Sequence, residues 1–150
     1  MKNEMTLKIA SFLGFALAVL GILYLYEEHL IFSKNIIATI IQMLSVALMI
    51  WARITFGVRS FHATANVTKG KLVTTGPYHF LRHPIYAALI YFFWACLIPF
   101  PAMKTIFGVL LITIGLLIRI FLEEKSLIEK YNQQYTDYSK QAKRVIPFIF

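Results

Sequence analysis

Four long apolar segments confine this chain to a small set of folds. They lie at about 7–26, 35–52, 84–99 and 102–122. A helix needs roughly 17–25 apolar residues to cross a bilayer. Inside hydrocarbon the backbone must satisfy its own hydrogen bonds, which leaves helices or closed barrels. The first, second and fourth segments meet the length. The third is slightly short, and Pro99-Phe100-Pro101 ends it, because proline lacks a donor and clashes with the preceding turn. The expected fold is an all-α integral membrane protein of about four transmembrane helices, the last two forming a hairpin. A loop at 53–83 and a C-terminal amphipathic region at 123–150 complete one domain over 1–150. Hydrophobic residues make up 59% of the chain and charged ones only 15%. The net charge of +8 therefore reads as loop charge and attraction to membrane lipids, not as nucleic-acid binding.

Segment one exceeds a signal peptide's apolar run of about 7–15 residues and reads as a retained helix. The lysines and arginines fix an orientation. Lys2 and Lys8 precede segment one; Arg53, Arg59, Lys69, Lys71 and Arg82 fill the long loop. Arg119, Lys125, Lys130, Lys140, Lys143 and Arg144 crowd the C-terminal end. The opposite connections hold only Lys34 and Lys104. Both termini and the long loop are expected in the cytoplasm.

The richest stretch is Gly76-Pro77-Tyr78-His79-Phe80-Leu81-Arg82-His83-Pro84-Ile85-Tyr86. Ionisable residues at the mouth of a membrane helix are costly and point to function. Lys71 to Thr75 reads as a short extended piece, and Gly76-Pro77 as a turn. Pro84 suits the first helical position, with His83 at the cap. Taken singly, Arg82 is a positive-inside residue, Tyr78 and Tyr86 are interfacial aromatics, and His62 and His79 are ordinary loop residues. Their convergence at one membrane depth makes a site. Metal binding is not expected, since the histidines have no cysteine or carboxylate at ligand spacing. Cys96 reads as a small buried hydrophobe.

A second constellation closes segment four. Arg119 and Glu123 are four residues apart and share a helix face. They form either a surface ion pair or a binding pair, with Arg119 offering a planar fork to a carboxylate or phosphate. Leu127, Tyr131, Tyr135 and Tyr138 then mark one amphipathic face. It lies on the bilayer surface or folds back over a pocket. The apolar tail from Val145 dips into the interface.

These blocks resemble the isoprenylcysteine carboxyl methyltransferase family, integral-membrane enzymes that include phospholipid methyltransferases. Lys71-Leu72-Val73-Thr74-Thr75-Gly76-Pro77-Tyr78, Arg82-His83-Pro84-Ile85-Tyr86, and Arg119 with Glu123-Glu124 and the later tyrosines carry the likeness, in the expected order. The first half matches only in hydropathy. The resemblance implies S-adenosylmethionine as cofactor. It implies cofactor contacts from Gly70, Lys71, Leu72, Val73, Tyr78, His83, Pro84, Ile85, Tyr86 and Glu123. It implies that Arg119 holds the acceptor, a lipophilic small molecule or lipid. A family glycine is Ala88 here, and another is replaced around Asn132.

Methyl transfer to a carboxylate needs no general base, because that acceptor is ionised at neutral pH. Its requirements are alignment and exclusion of water. The acceptor expected first is a prenylcysteine-like carboxylate. The alternatives are a phospholipid amine, a sterol-reductase-like reaction using NADPH, and a non-catalytic membrane subunit. Arg-His-Pro-x-Tyr alone also resembles sterol reductases; the C-terminal block favours a methyltransferase.

Overall fold

The computed structural model describes residues 2–57, 72–147 and 149. It is all helical: α1 Lys2–Glu27, α2 Ile36–Phe56, α3 Pro84–Trp94, α4 Met103–Tyr131 and α5 Gln133–Gln141. Short 3-10 turns occupy Gly76–His79 and Ala95–Leu97.

Local chemistry sets the ends. After α1 the chain reverses at His29, whose φ is 56°, and the Leu30 N–H reaches the Leu25 carbonyl at 2.9 Å. This satisfies a carbonyl that the helix end leaves open. Asn35 caps α2 by accepting from the Ala38 N–H at 3.1 Å. Pro84 opens α3.

Three of these helices are long and apolar enough to cross a membrane. The third apolar segment is not, because Pro84 fixes its start and the Pro99 turn its end. With its 3-10 extension, α3 covers Pro84–Leu97. That is roughly 20 Å against a hydrocarbon thickness of about 30 Å. The fourth segment runs past its expected end at 122 to Tyr131. The glutamates and lysines after Leu122 are good helix formers, so leaving the apolar stretch does not end the helix.

Nor is the region from 123 onward one amphipathic helix. Asn132, at φ 47° and ψ −122°, separates α4 from α5. Residues other than glycine rarely adopt a positive φ. Tyr135 and Tyr138 still join Leu127, Tyr131 and Leu72 in one apolar cluster, reached by folding back.

α3 and α4 are consecutive, yet α4 lies chiefly on α1, and α3 chiefly on α2. A seam of small residues explains the first pairing. A Cβ at Gly115 would stand 2.5 Å from the Gly14 carbonyl oxygen and 2.7 Å from the Ala18 nitrogen. One at Gly21 would stand 2.9 Å from the Gly108 oxygen. Small residues allow membrane helices to approach at backbone distance. Gly115→Val should therefore lower stability by about 1–3 kcal/mol or more, as overpacking does. Thermal unfolding in detergent measures it, and an unshifted midpoint would refute the seam.

The start of α1, the end of α2, the start of α3 and the end of α4 share one face of the bundle. His83 meets α4 at Glu123 and Glu124. The last seven residues of α4, 125–131, rise roughly 10 Å past that level. The mouth of α3 thus sits beneath an overhang, which α5 extends.

Candidate active site

The turn before α3 is shaped by its neighbours. Gly76 has φ 58°, and a Cβ there would be 2.8 Å from Thr55 Oγ1 on α2. Positive φ and close approach both require glycine. The turn buries Pro77 and Tyr78, and the Tyr78 ring lies 5.5 Å from that of Phe56. The Tyr138 hydroxyl on α5 donates to the Tyr78 carbonyl at 2.6 Å.

The chain then pairs with its own C-terminal segment. Leu81 and Lys143 form a parallel bridge. The Arg82 N–H donates to the Lys143 carbonyl at 2.6 Å, and the His83 N–H to the Arg144 carbonyl at 3.1 Å. The Tyr91 hydroxyl donates to the Val145 carbonyl. Backbone groups at the irregular mouth of α3 are satisfied this way, as burial demands.

Glu124 ties the assembly together. Its Oε1 is 2.7 Å from Arg82 Nη1, a close ionic contact without hydrogen-bond alignment. The same oxygen is 3.4 Å from His83 Nε2. Its Oε2 accepts from Arg144 Nε at 2.9 Å. Helical spacing pairs Arg119 with Glu123 and assigns Glu124 no partner. Nothing in local spacing links Glu124 to residues 82 and 144.

Glu123 points elsewhere. Its side chain is 30% exposed, against 8% for Glu124, and its Oε2 is 4.0 Å from His83 Nδ1. Its charge acts on both the Tyr78 and Tyr86 hydroxyls. Burial first, then the charge of Glu123, pushes the Tyr78 hydroxyl above its usual range, so it remains a neutral donor. The His83 and Tyr86 rings lie 5.8 Å apart. Tyr78, His83, Tyr86 and Glu123 thus share one space: three aromatic rings beside a partly accessible carboxylate.

Arg119 adjoins that space and is only 4% exposed. Its Nε donates to the Tyr86 hydroxyl at 3.4 Å. Its Nη1 donates to the Ser11 carbonyl at 3.3 Å and to Ser11 Oγ at 3.4 Å. The guanidinium carbon is 5.4 Å from the Phe15 ring centre and 5.8 Å from that of Tyr86.

The remaining expected contacts are more dispersed. Pro84 is buried at the start of α3, and Ile85 is half-buried beside it. Leu72 packs on the Tyr135–Tyr138 cluster, and Val73 is half-buried in the irregular approach to the turn. Gly70 and Lys71 lie outside the described residues, as does His62. His79 is exposed and stacks edge-on with Phe80.

A family model described as phospholipid methyltransferase matches residues 30–134. The chain belongs to this family. It is 31% identical over 97 residues to a methanethiol S-methyltransferase of Crocosphaera subtropica, covering 63% of this chain and 37% of that protein. It is 28% identical over 138 residues to the protein-S-isoprenylcysteine O-methyltransferase of Saccharomyces cerevisiae, covering 84% and 57%. A methanethiol S-methyltransferase of Pseudomonas deceptionensis is 32% identical over 85 residues, covering 57% and 32%. The chain spans between about a third and just over half of the length of these three relatives. No solved structure matches it.

Proposed function

We propose that this protein transfers a methyl group from S-adenosylmethionine to an anionic sulfur or oxygen atom on a lipophilic acceptor. The observation that carries this is the buried Arg119, fixed by Tyr86 and Ser11, beside the space that Glu123 shares with three aromatic rings. The donor set fits the cofactor. A carboxylate suits its ammonium group or its ribose hydroxyls, and ring faces suit a cation at about 0.5–2 kcal/mol each. Bound there, S-adenosylmethionine supplies an electrophilic methyl on a sulfonium.

Glu123, Tyr78, His83, Pro84, Ile85 and Tyr86 bind and orient, with Leu72 and Val73 walling the approach. The neutral Tyr78 hydroxyl donates without titrating. Arg119 attracts the acceptor's negative charge. A carboxylate is already ionised, and an adjacent cation lowers a thiol's pKa toward the thiolate. One arrangement thus serves both acceptor atoms in the relatives' names, a thiol sulfur and a cysteine carboxyl oxygen. An amine acceptor would meet a like charge at Arg119. The overhang of α4 and α5 excludes bulk water, which strengthens each of these charge interactions. The site face is assigned to the cytoplasm by its basic residues.

The test is saturable S-adenosylmethionine binding to detergent-purified protein, with NADPH as the control ligand. Glu123→Ala and Tyr78→Ala should each weaken binding at least tenfold, since hydrogen bonds to charged groups contribute about 1.5–3 kcal/mol. Neither side chain bonds to Glu124 directly, and the Glu123 contact with His83 is long, at 4.0 Å. Wild-type affinity in both folded variants would reject the reading.

A further inference from the structure

The segment matched by the family model begins at residue 30, but Arg119 is held from residues 11 and 15. We propose that α1 forms the acceptor-side wall of the site. Ser11 is the positioning residue for Arg119, and Phe15 is the gate that decides how bulky an acceptor reaches it from the bilayer. This rests on the acceptor role assigned to Arg119 above.

A guanidinium at membrane depth must be hydrogen-bonded and covered. Two of the oxygens accepting from Arg119 belong to Ser11, which is 1% exposed and turned inward at the start of α1. Another is the Tyr86 hydroxyl on α3. The fork is therefore stretched between α1 and α3, with α4 behind it. Ser11 fixes the orientation of a group whose hydrogen bonds are directional.

Phe15 lies one turn further along the same helix. It is 42% exposed, and its neighbours Phe12 and Leu13 are more exposed still. This face of α1 looks outward at the lipid. Yet the Phe15 ring also stands over the guanidinium, as the Tyr86 ring does. The half-exposed Phe15 ring thus lies between the buried cation and the hydrocarbon. An acceptor with a long apolar tail, approaching from the bilayer, must displace or lie along that ring. A short acceptor arriving from the aqueous face need not. Ring size at position 15 is therefore a selector of chain length.

The experiment uses the full chain in lipid nanodiscs with methyl-labelled S-adenosylmethionine. The probe acceptors are ethanethiol and dodecanethiol, with ethylthioacetic and dodecylthioacetic acids. In Phe15→Ala the long-to-short ratio of kcat/KM should rise about tenfold, and in Phe15→Trp it should fall about tenfold, the range expected for reshaping an apolar pocket. Cofactor affinity should be unchanged in both. Ser11→Ala should raise KM for the acids about tenfold with a smaller effect on kcat, and Ser11→Thr, which keeps the hydroxyl, should restore it.

A wild-type protein that binds no S-adenosylmethionine would sink the parent reading. Wild-type turnover with an unmoved ratio in both Phe15 variants would overturn the gate alone. Cofactor binding without turnover of any probe would overturn it too, since no anionic alkyl acceptor then reaches Arg119.

Discussion

Glu124→Ala should be the most destabilising single substitution at the site face, costing about 3–5 kcal/mol, the range for removing one partner from a buried charge network. Three cationic or ionisable groups converge on this carboxylate, at 2.7 Å from Arg82, 2.9 Å from Arg144 and 3.4 Å from His83. Alanine leaves the half-buried Arg82 and the buried His83 without it. The loss reaches beyond one contact, because Arg82 and His83 sit on the segment that pairs with 143–144. That pairing holds the C-terminal segment down, and Tyr138 ties α5 to the turn before α3. By the scaling for soluble chains of this size, the unfolding midpoint should fall by on the order of 10 °C. Glu124→Gln keeps the shape and one acceptor oxygen and should fall less. A midpoint within 2 °C of wild type by thermal unfolding in detergent, about the shift for 1 kcal/mol, would show that the network is worth little.

The neighbouring Glu123→Ala separates structure from binding. Its side chain is part-exposed and stands 4.0 Å from the nearest nitrogen of His83. Little stability depends on such a contact. Adjacent glutamates on one helix are about 100° apart, so two identical residues in sequence face different surroundings. One meets the Arg82–Arg144 cluster, and the other meets Tyr78 and Tyr86.

That divergence marks what sequence could and could not reveal. Helix positions followed from apolar length, and helix starts from Asn35 and Pro84, because these are local effects. The convergence of Tyr78, His83 and Tyr86 was legible from their position at a helix mouth. Glu124 was not, because its partners come from 42 residues before it and 20 after. Nor was the α1–α4 seam, since glycines 14, 21, 108 and 115 show their purpose only where two backbones meet. The break at Asn132 was half visible. A glycine-favouring position had been replaced there, but the tyrosine periodicity continued across it. The helical face was thus read as continuous although the backbone turns.

Arg119→Ala should abolish most turnover while leaving cofactor affinity within about twofold. Glu123 and the aromatic rings line the space, and the Arg119 fork adjoins it, bonded to Tyr86 and Ser11. An anionic acceptor held by a desolvated guanidinium loses about 2–5 kcal/mol of interaction when that partner is truncated. At 1.36 kcal/mol per tenfold, the loss of rate is roughly 30- to 5,000-fold. Arg119→Lys keeps the charge but not the planar fork, so it should fall between alanine and wild type. Labelled-methyl transfer and cofactor titration on the same preparations separate the outcomes. Loss of both together would assign Arg119 to cofactor binding or to the fold. Retained turnover in Arg119→Ala would remove it from the acceptor site, and with it the case for an anionic acceptor.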